Sequence, residues 1–303
     1  VAQFGAPVLG CDLESRGCTE ARQSLFTGGT GQFRSDNNDY PMVALNDGGG
    51  ERVSGVTRVS LPEGATVKYA SLEWSANRSL GGQGGADTWD GKRQDAEIKV
   101  PGGAFTSVKA DSVDNLTEDG KQYYLSRADV TDLVVAAGSG EYVLSDIAVA
   151  DLRDEDRRGY FAGFTLTIVY ESPAITNDRH VVLYEGARWI GERESVSTPL
   201  WLDRRSDVGL SWTAFETDRA LTGDRVSIDG DQYVSRRQLG DGVSENAADS
   251  HAHGSLYANT MGIDAKPFDA KPSRQEGLRT LRVSTDIDTF LLGTLAVTVT
   301  PSE

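Results

Sequence analysis

The sequence predicts an all-β protein built as two jelly-roll-like antiparallel β-sandwiches, with one short helix and an extended N-terminal arm. Three observations carry that prediction. Glycine supplies 34 of 303 residues, many of them in turn-like clusters, and Met occurs only twice. Long apolar stretches of helical period are few, and short β-prone runs recur between turn signals at sandwich spacing. A hydrophobic content of 38% is enough for a packed core in one large or two medium domains. No run approaches the ~18 apolar residues of a membrane span.

The first thirty residues read as an arm. "VAQFGAPVLG" carries no charge, and Val1, Phe4, Val8 and Leu9 offer apolar side chains on a segment too short to bury them alone. Two fates are open to it: folding back on its own domain, or adding to the sheet edge of a neighbouring copy by main-chain hydrogen bonds. Cys11 and Cys18, the only cysteines, follow at once. "VLGC" resembles a lipoprotein cleavage box, yet the basic start and the apolar run of ~7–15 residues are missing. Two thiols are too few for a zinc site. A disulfide closing a short loop is expected, the alternative being two buried free thiols, and disulfides belong to oxidising compartments. A chain starting at Val1 also reads as one trimmed by signal peptidase, so export is expected.

From Val53, "VSGVTRVSLPEGATVKYASLEWSANRS" gives two strand-like runs broken by Pro62, Gly64 and Ala65. "AEIKV", "AFTSVKA" and "KQYYLS" follow as short strands. In "ADVTDLVVAAGSG" the period changes: Val130, Leu133, Val134 and Ala137 fall at i, i+3, i+4 and i+7, with Asp129 placed to cap the start and Gly138 to end the helix. Strands resume at "GEYVLSDIAVA" and "YFAGFTLTIVYESP", the latter dense enough to be central, and Pro173 ends it. "RHVVLYEGARWI", "VGLSWTAFET", "DRVSIDGDQYV", "LRTLRVSTDID" and "TFLLGTLAVTVTP" repeat the style. The expected organisation is an arm with a disulfide loop over 1–30, a first sandwich over 31–173 and a second over 174–303, one continuous double sandwich being the alternative.

A formal net charge of -16 excludes a phosphate-backbone partner, so no nucleic acid is expected. Acidic surfaces serve solubility and also gather divalent cations. The oxygen-rich runs are "SDNNDY", with Asp36, Asn38 and Asp39, and "DLRDEDRRG", with Asp151, Asp154 and Asp156. Neither matches an EF-hand loop, and Arg153, Arg157 and Arg158 favour internal pairing over Ca²⁺ in the second. In "DSHAHG", Asp249, His251 and His253 have period-two spacing and would share one strand face, enough for a transition metal; the competing reading is a solvated loop. No cofactor is expected beyond Ca²⁺ at such clusters.

Trp89 lies in the polar loop "GGQGGADTWDGKR", where its ring could stack on a sugar while Asp87 and Asp90 take hydroxyls. A ring folded back over the loop is the competing reading. Trp74, Trp189, Trp201 and Trp212 lie in strand-like text and are expected to pack in cores or edges. Lys68 alternates with Ala70, Leu72 and Trp74 and is a candidate for an intramolecular isopeptide bond. No Gly-x-Ser-x-Gly elbow or Ser-x-x-Lys motif occurs, and no carboxylate pair stands out, so no enzyme is expected.

The order of "NNDYPMVALNDGGG", "LPEGATVKYASLEWSAN", "VPGGAFTSVKAD", "ADVTDLVVAAGSGEYVLSDI", "RRGYFAGFTLTIVYESP", "RHVVLYEG", "FETDRALTGDRVSIDG", "NTMGIDAKPFDA" and "STDIDTFLLGTLAVTVT" resembles the secreted, cell-surface β-sandwich region of actinobacterial and related bacterial exported proteins. It spans roughly residues 35 to 300. The resemblance implies export, a β-rich fold and work at the cell surface or in the matrix, and it brings no enzymatic role. The chain departs from the multi-module pattern, because Glu303 follows the last strand with no sorting signal or repeats. The expected function is a secreted structural or interaction protein that assembles with copies of itself through the arm into a filament or surface matrix. The alternative is a glycan-binding module or adhesin, with cell-surface proteins or glycans as partners.

Overall fold

The structure, a computed structural model, describes residues 1–23, 35–50, 53–79, 92–118, 120–150, 158–235, 245–273 and 275–301. The first half runs β1 (Ala2–Pro7), β2 (Leu9–Cys11), α1 (Cys18–Gln23), β3 (Met42–Ala44), β4 (Ser54–Val59), β5 (Thr66–Ser79), β6 (Asp95–Lys99) and β7 (Phe105–Lys109). It continues with β8 (Ser112–Glu118), β9 (Lys121–Asp129), α2 (Thr131–Ala137), β10 (Gly140–Ser145) and β11 (Ala162–Glu171). Its sheets have the orders β1-β11-β5-β9-β8 and β4-β10-β6-β7. The second half gives β12 (His180–Tyr184), β13 (Arg188–Ile190), β14 (Ser195–Leu202), β15 (Asp207–Phe215), β16 (Arg225–Ile228) and β17 (Asp231–Tyr233). Then come β18 (Ile263–Pro267), β19 (Lys271–Pro272), β20 (Gly277–Ser284) and β21 (Phe290–Thr300). They form the order β12-β21-β15-β18, with β13 on β21 and β19 on β15, and the order β14-β20-β16-β17.

The fold is thus all-β, with antiparallel pairing between the named strands. Each pair of sheets encloses a core. The alternation in β5 sends Ala70, Leu72, Trp74 and Ala76 to the first core, and β11 adds Phe164, Leu166 and Ile168. In the second half, Val208, Leu210, Trp212 and Ala214 of β15 meet Leu292, Leu295, Val297 and Val299 of β21.

Two expectations about the N-terminus change. The helix at α2 lies where the 3.6 period placed it, with Asp129 accepting the Thr131 N–H at 2.8 Å and Gly138 closing it at φ 67°. However, a second short helix, α1, begins at Cys18. The disulfide Cys11–Cys18 is formed, with Cα atoms 5.8 Å apart, and it ties β2 to that helix. More consequentially, the arm is a strand of its own chain's sheet. β1 pairs with β11 from Ala2↔Ile168 to Pro7↔Gly163, and Phe4, Val8 and Leu9 enter the first core. Its remaining edge is covered, since the Gly5 N–H donates to the His253 carbonyl at 3.0 Å. Of the two fates open to this segment the chain shows the first, β1 forming a strand of its own first sandwich and the outward Gly5 N–H being taken up within the chain.

Candidate functional site

Between the two cores lies a seam made of the outer faces of two sheets. Along β5 the residues facing away from the first core are Ser71, Glu73, Ser75 and Asn77, all buried despite being polar. β11 contributes Thr165 and Thr167 on the same side. Strand alternation of this kind ordinarily means one wet face, but here the second sandwich covers it. Thr213 of β15 and Thr294 of β21 are opposed to them.

Glu73 is the hub. Its carboxylate accepts from Arg127 Nη2 at 2.5 Å, Thr294 Oγ1 at 2.8 Å, Thr165 Oγ1 at 3.1 Å and Thr213 Oγ1 at 2.5 Å. Two donors therefore come from each sandwich. Thr213 Oγ1 also accepts the Thr294 N–H at 2.7 Å, where the β15–β21 register shifts between Trp212 and Ala214. Gly293 is required there: a Cβ would stand 2.7 Å from Thr213 Oγ1 and 2.8 Å from Glu73 Oε2. Around this hub an apolar patch of Tyr123, Leu125, Phe161, Phe215, Ile263 and Leu291 closes the seam, with Tyr123 against Trp189 at 4.6 Å between ring centroids.

A second contact comes from residues 249–262, which reach from the second sandwich over the first. Thr57 Oγ1 donates to the His253 carbonyl at 3.2 Å, the Arg58 N–H to the Gly254 carbonyl at 2.8 Å, and Asn259 Nδ2 to the Ser35 carbonyl at 2.7 Å. Arg22 of α1 lies over the Tyr257 ring at 5.3 Å, and the Tyr257 hydroxyl donates to Asp47 at 3.0 Å. The disulfide loop is thereby fixed to the far sandwich.

At this junction buried carboxylates collect. Glu216 is pushed up to about 8 by burial, with Lys121 opposing and Asp36 adding to the rise. Burial likewise raises Asp218, helped by Glu216 and Asp36, and Asp288, helped by Asp218 and Asp224. Asp36, raised to about 6 chiefly by burial, accepts the Ala220 N–H at 3.1 Å, so it joins the two halves. Asp39 Oδ2 accepts the Ser35 N–H at 3.0 Å, whereas Asn38 is exposed. The "SDNNDY" carboxylates thus shape a turn and a docking contact. Among the described residues, no group of three His, Cys, Asp or Glu side chains stands where it could hold a metal ion.

The other expected clusters separate. Asp249 is buried against Lys266, while His251 and His253, with ring centroids 5.6 Å apart, line a cavity of ≈ 480 Å³ with Lys266 and Phe268. Instead of a regular strand face they occupy a loop held by isolated bridges, Ala252 to Ala265 and Ser255 to Thr57. Lys68, the isopeptide candidate, is a surface residue paired with Glu171 at 2.9 Å, near the start of β5 and ahead of its buried stretch. Trp89, Asp87 and Asp90, and also Asp151, Asp154 and Asp156, lie outside the described residues.

Trp201, expected in a core or at an edge, stands on the edge strand β14 and is 63% exposed. It stands on β14 directly opposite Leu278 of β20, itself 65% exposed. The outer face of the same sheet carries a groove of ≈ 720 Å³ lined by Arg193, Arg225, Arg282, Ser227, Thr280 and Asp286. Arg225 bridges Asp286 at 2.9 Å and Glu245 at 3.0 Å. Sequence could have found the pair through the exposed parity it shares with Ser195, Ser197 and Pro199, but alternation alone does not say which parity faces out.

The fold and seam define a double β-sandwich fused through a polar interface. No family model and no curated protein matches the chain. Among solved structures it is similar to a β-porphyranase of glycoside hydrolase family 86 from the human gut bacterium Bacteroides plebeius, at 9% identity and a TM-score of 0.26; the match covers 82% of this chain and 33% of that one. The chain therefore spans about a third of that enzyme's length. It is also similar to the major capsid protein P2 of bacteriophage PM2, at 9% identity and a TM-score of 0.19, covering 82% of this chain and 98% of that chain. The mavirus major capsid protein gives 9% identity and a TM-score of 0.17, with 82% and 83% covered.

Proposed function

We propose that the protein is an extracellular structural component, a rigid two-sandwich block that associates with copies of itself through the outer face of its second sandwich. The observation that carries the reading is the Trp201–Leu278 pair: two large apolar side chains in cross-strand register, standing in water on a face whose neighbouring strand β14 is a sheet edge. Aromatic anchors flanked by polar rims are the usual centres of protein contacts. The disulfide fits an oxidising compartment, and among the described residues no helix is long and apolar enough to cross a membrane. The seam supports a load-bearing role, because the halves share hydrogen bonds as well as apolar contact.

A second reading, glycan binding, draws on the same tryptophan. An exposed indole beside a groove with Arg, Ser, Thr and Asp side chains offers a stacking face and hydroxyl partners. Sedimentation velocity and negative-stain imaging of wild type and Trp201→Ser/Leu278→Ser, with a glycan array on both, separate the two. Concentration-dependent assembly lost in the variant, at unchanged melting temperature, supports the first reading. A monomer whose array signals vanish with Trp201 supports the second, and a variant indistinguishable from wild type in both assays overturns both.

A further inference from the structure

Lys266 is a lysine in a core. On β18 it stands opposite Trp212 of β15, and Asp264, two residues earlier, stands opposite Ala214. The period of two turns both side chains into the second core, whose members include Trp212, Ala214, Ala247, Ala248 and Phe268. The side chains of Lys266 and Asp264 are 1% and 0% exposed, and that of Asp249 is 2% exposed. Lys266 Nζ contacts Oδ1 of both carboxylates.

One amine between two carboxylates leaves a net negative charge in a dry place if all three are ionised. Buried ion pairs of this kind gain little over neutral groups of the same volume, because desolvation offsets the attraction. Condensation removes the difficulty, since an amide carries no charge.

The two acids are not equivalent. Asp264 is fixed by main-chain donors, the His251 N–H to Oδ1 and the Ser250 N–H to Oδ2, both at 3.1 Å. Bonding its Cγ to nitrogen would displace an oxygen that those donors hold, and it would join only neighbours on one strand. Asp249, 17 residues from Lys266 in sequence, lies at the start of the segment that covers β1 and the disulfide loop.

We propose that Lys266 Nζ and Asp249 Cγ condense spontaneously into an intramolecular amide, with Asp264 as the catalytic proton carrier. The Lys266 ammonium passes a proton to the Asp264 carboxylate, freeing the nitrogen lone pair. Nζ attacks Cγ of Asp249 in its acid form, the N–C bond forms, and the C–OH bond breaks. The hydroxyl leaves with the second nitrogen proton as water. The products are a neutral secondary amide, one water and protonated Asp264, so atoms and charge balance without an oxidant or co-reactant. Burial, with Lys266 opposing and Asp249 adding, brings Asp264 up to about 6, and its contact with Nζ places it to take the ammonium proton. The bond would staple residues 249–262 to β18, and through them the covering contacts of the first sandwich.

The test is intact-mass spectrometry of the full chain, reduced and unfolded, followed by a proteolytic map. The expected result is a mass one water below that of the sequence and one branched fragment joining Asp249 to Lys266. Asp264→Asn is expected to restore the full mass while Lys266 and Asp249 remain in separate fragments. Wild-type protein at full mass with unbranched fragments overturns the proposal without reliance on any variant. A branch from Lys266 to Asp264, or a branched Asp264→Asn protein, overturns the assignment of roles.

Discussion

Replacing Glu73 by leucine tests whether the two sandwiches form one cooperative body. The substitution keeps an apolar volume in the seam but removes the acceptor of four side chains, two from each half. Arg127, with a side chain only 14% exposed, loses its carboxylate and keeps the Gly186 carbonyl at 3.4 Å, and breaking a buried pair from one side costs about 3–5 kcal/mol. The lower end applies, because the small exposure lets water reach the guanidinium. Thr165, Thr213 and Thr294 lose an acceptor as well, at a cost that shares the same term and is not added to it. Glu73→Gln keeps the shape and one carbonyl acceptor, so about 2 kcal/mol is expected, in the range of a hydrogen bond to a charged group. Equilibrium urea unfolding followed by tryptophan fluorescence is the assay. Wild type should unfold in a single transition, and Glu73→Leu should shift the midpoint and split the curve as the halves part. A loss below about 1 kcal/mol with the slope unchanged would refute the view that this carboxylate joins the sandwiches.

The remaining perturbations act on β1 and on the acidic junction. Phe4→Asp puts a charge into the first core at a position 7% exposed; a loss of several kcal/mol is expected, seen as a lower melting temperature by circular dichroism, and a fully folded variant altered only in assembly would restore the free-arm idea. Stability should fall as pH rises from about 5 to about 8. Glu216 and Asp224, raised by burial to about 8 and about 7, bind protons in the folded state that they release in the unfolded one, where carboxyls titrate near 4. The contribution is present in full below the unfolded value and lost as pH passes the folded one, so Glu216→Gln should flatten the slope. Thermal melts at several pH values decide, and a midpoint that climbs steadily to pH 8 contradicts the sign.

The all-β class was legible because turn residues and period-two runs are local signals, and α2 was legible because its apolar positions change period within one window. The short spacing of the cysteines likewise pointed to their bond. The seam was not legible. Ser71, Glu73, Ser75 and Asn77 alternate with Ala70, Leu72, Trp74 and Ala76, and nothing local distinguishes a polar face in water from one satisfied by another sheet. Lys266 was missed for a related reason: its partner Asp249 is distant in sequence, and a lone lysine in "GIDAKPFDA" reads as a surface residue. Lys68 shares the parity of Ala70 and Leu72, but parity does not say where along β5 the core begins. Apolar content in "VAQFGAP" correctly signalled burial, but the identity of the covering strand is a matter of topology.

A polar seam does something an apolar one would not. Apolar contact is non-directional and roughly proportional to area, so two smooth sheets pressed together could settle in several offsets. Glu73 accepts from named atoms on both halves, and a slip of one residue along β15 or β21 would turn Thr213 or Thr294 away from it and leave a carboxylate unsatisfied. The penalty for misalignment is then that of a buried charge, while the gain from correct alignment is modest. Gly293 belongs to the same device, because only a residue without Cβ lets β21 bring Thr294 so close. The disulfide and residues 249–262 act at a different place on the junction, binding α1 and β1 beneath a strap from the other half. Rotation about the seam would have to break contacts at both places, so the outer face bearing Trp201 and Leu278 is held in a fixed relation to the first sandwich, as the proposed assembly through that face requires.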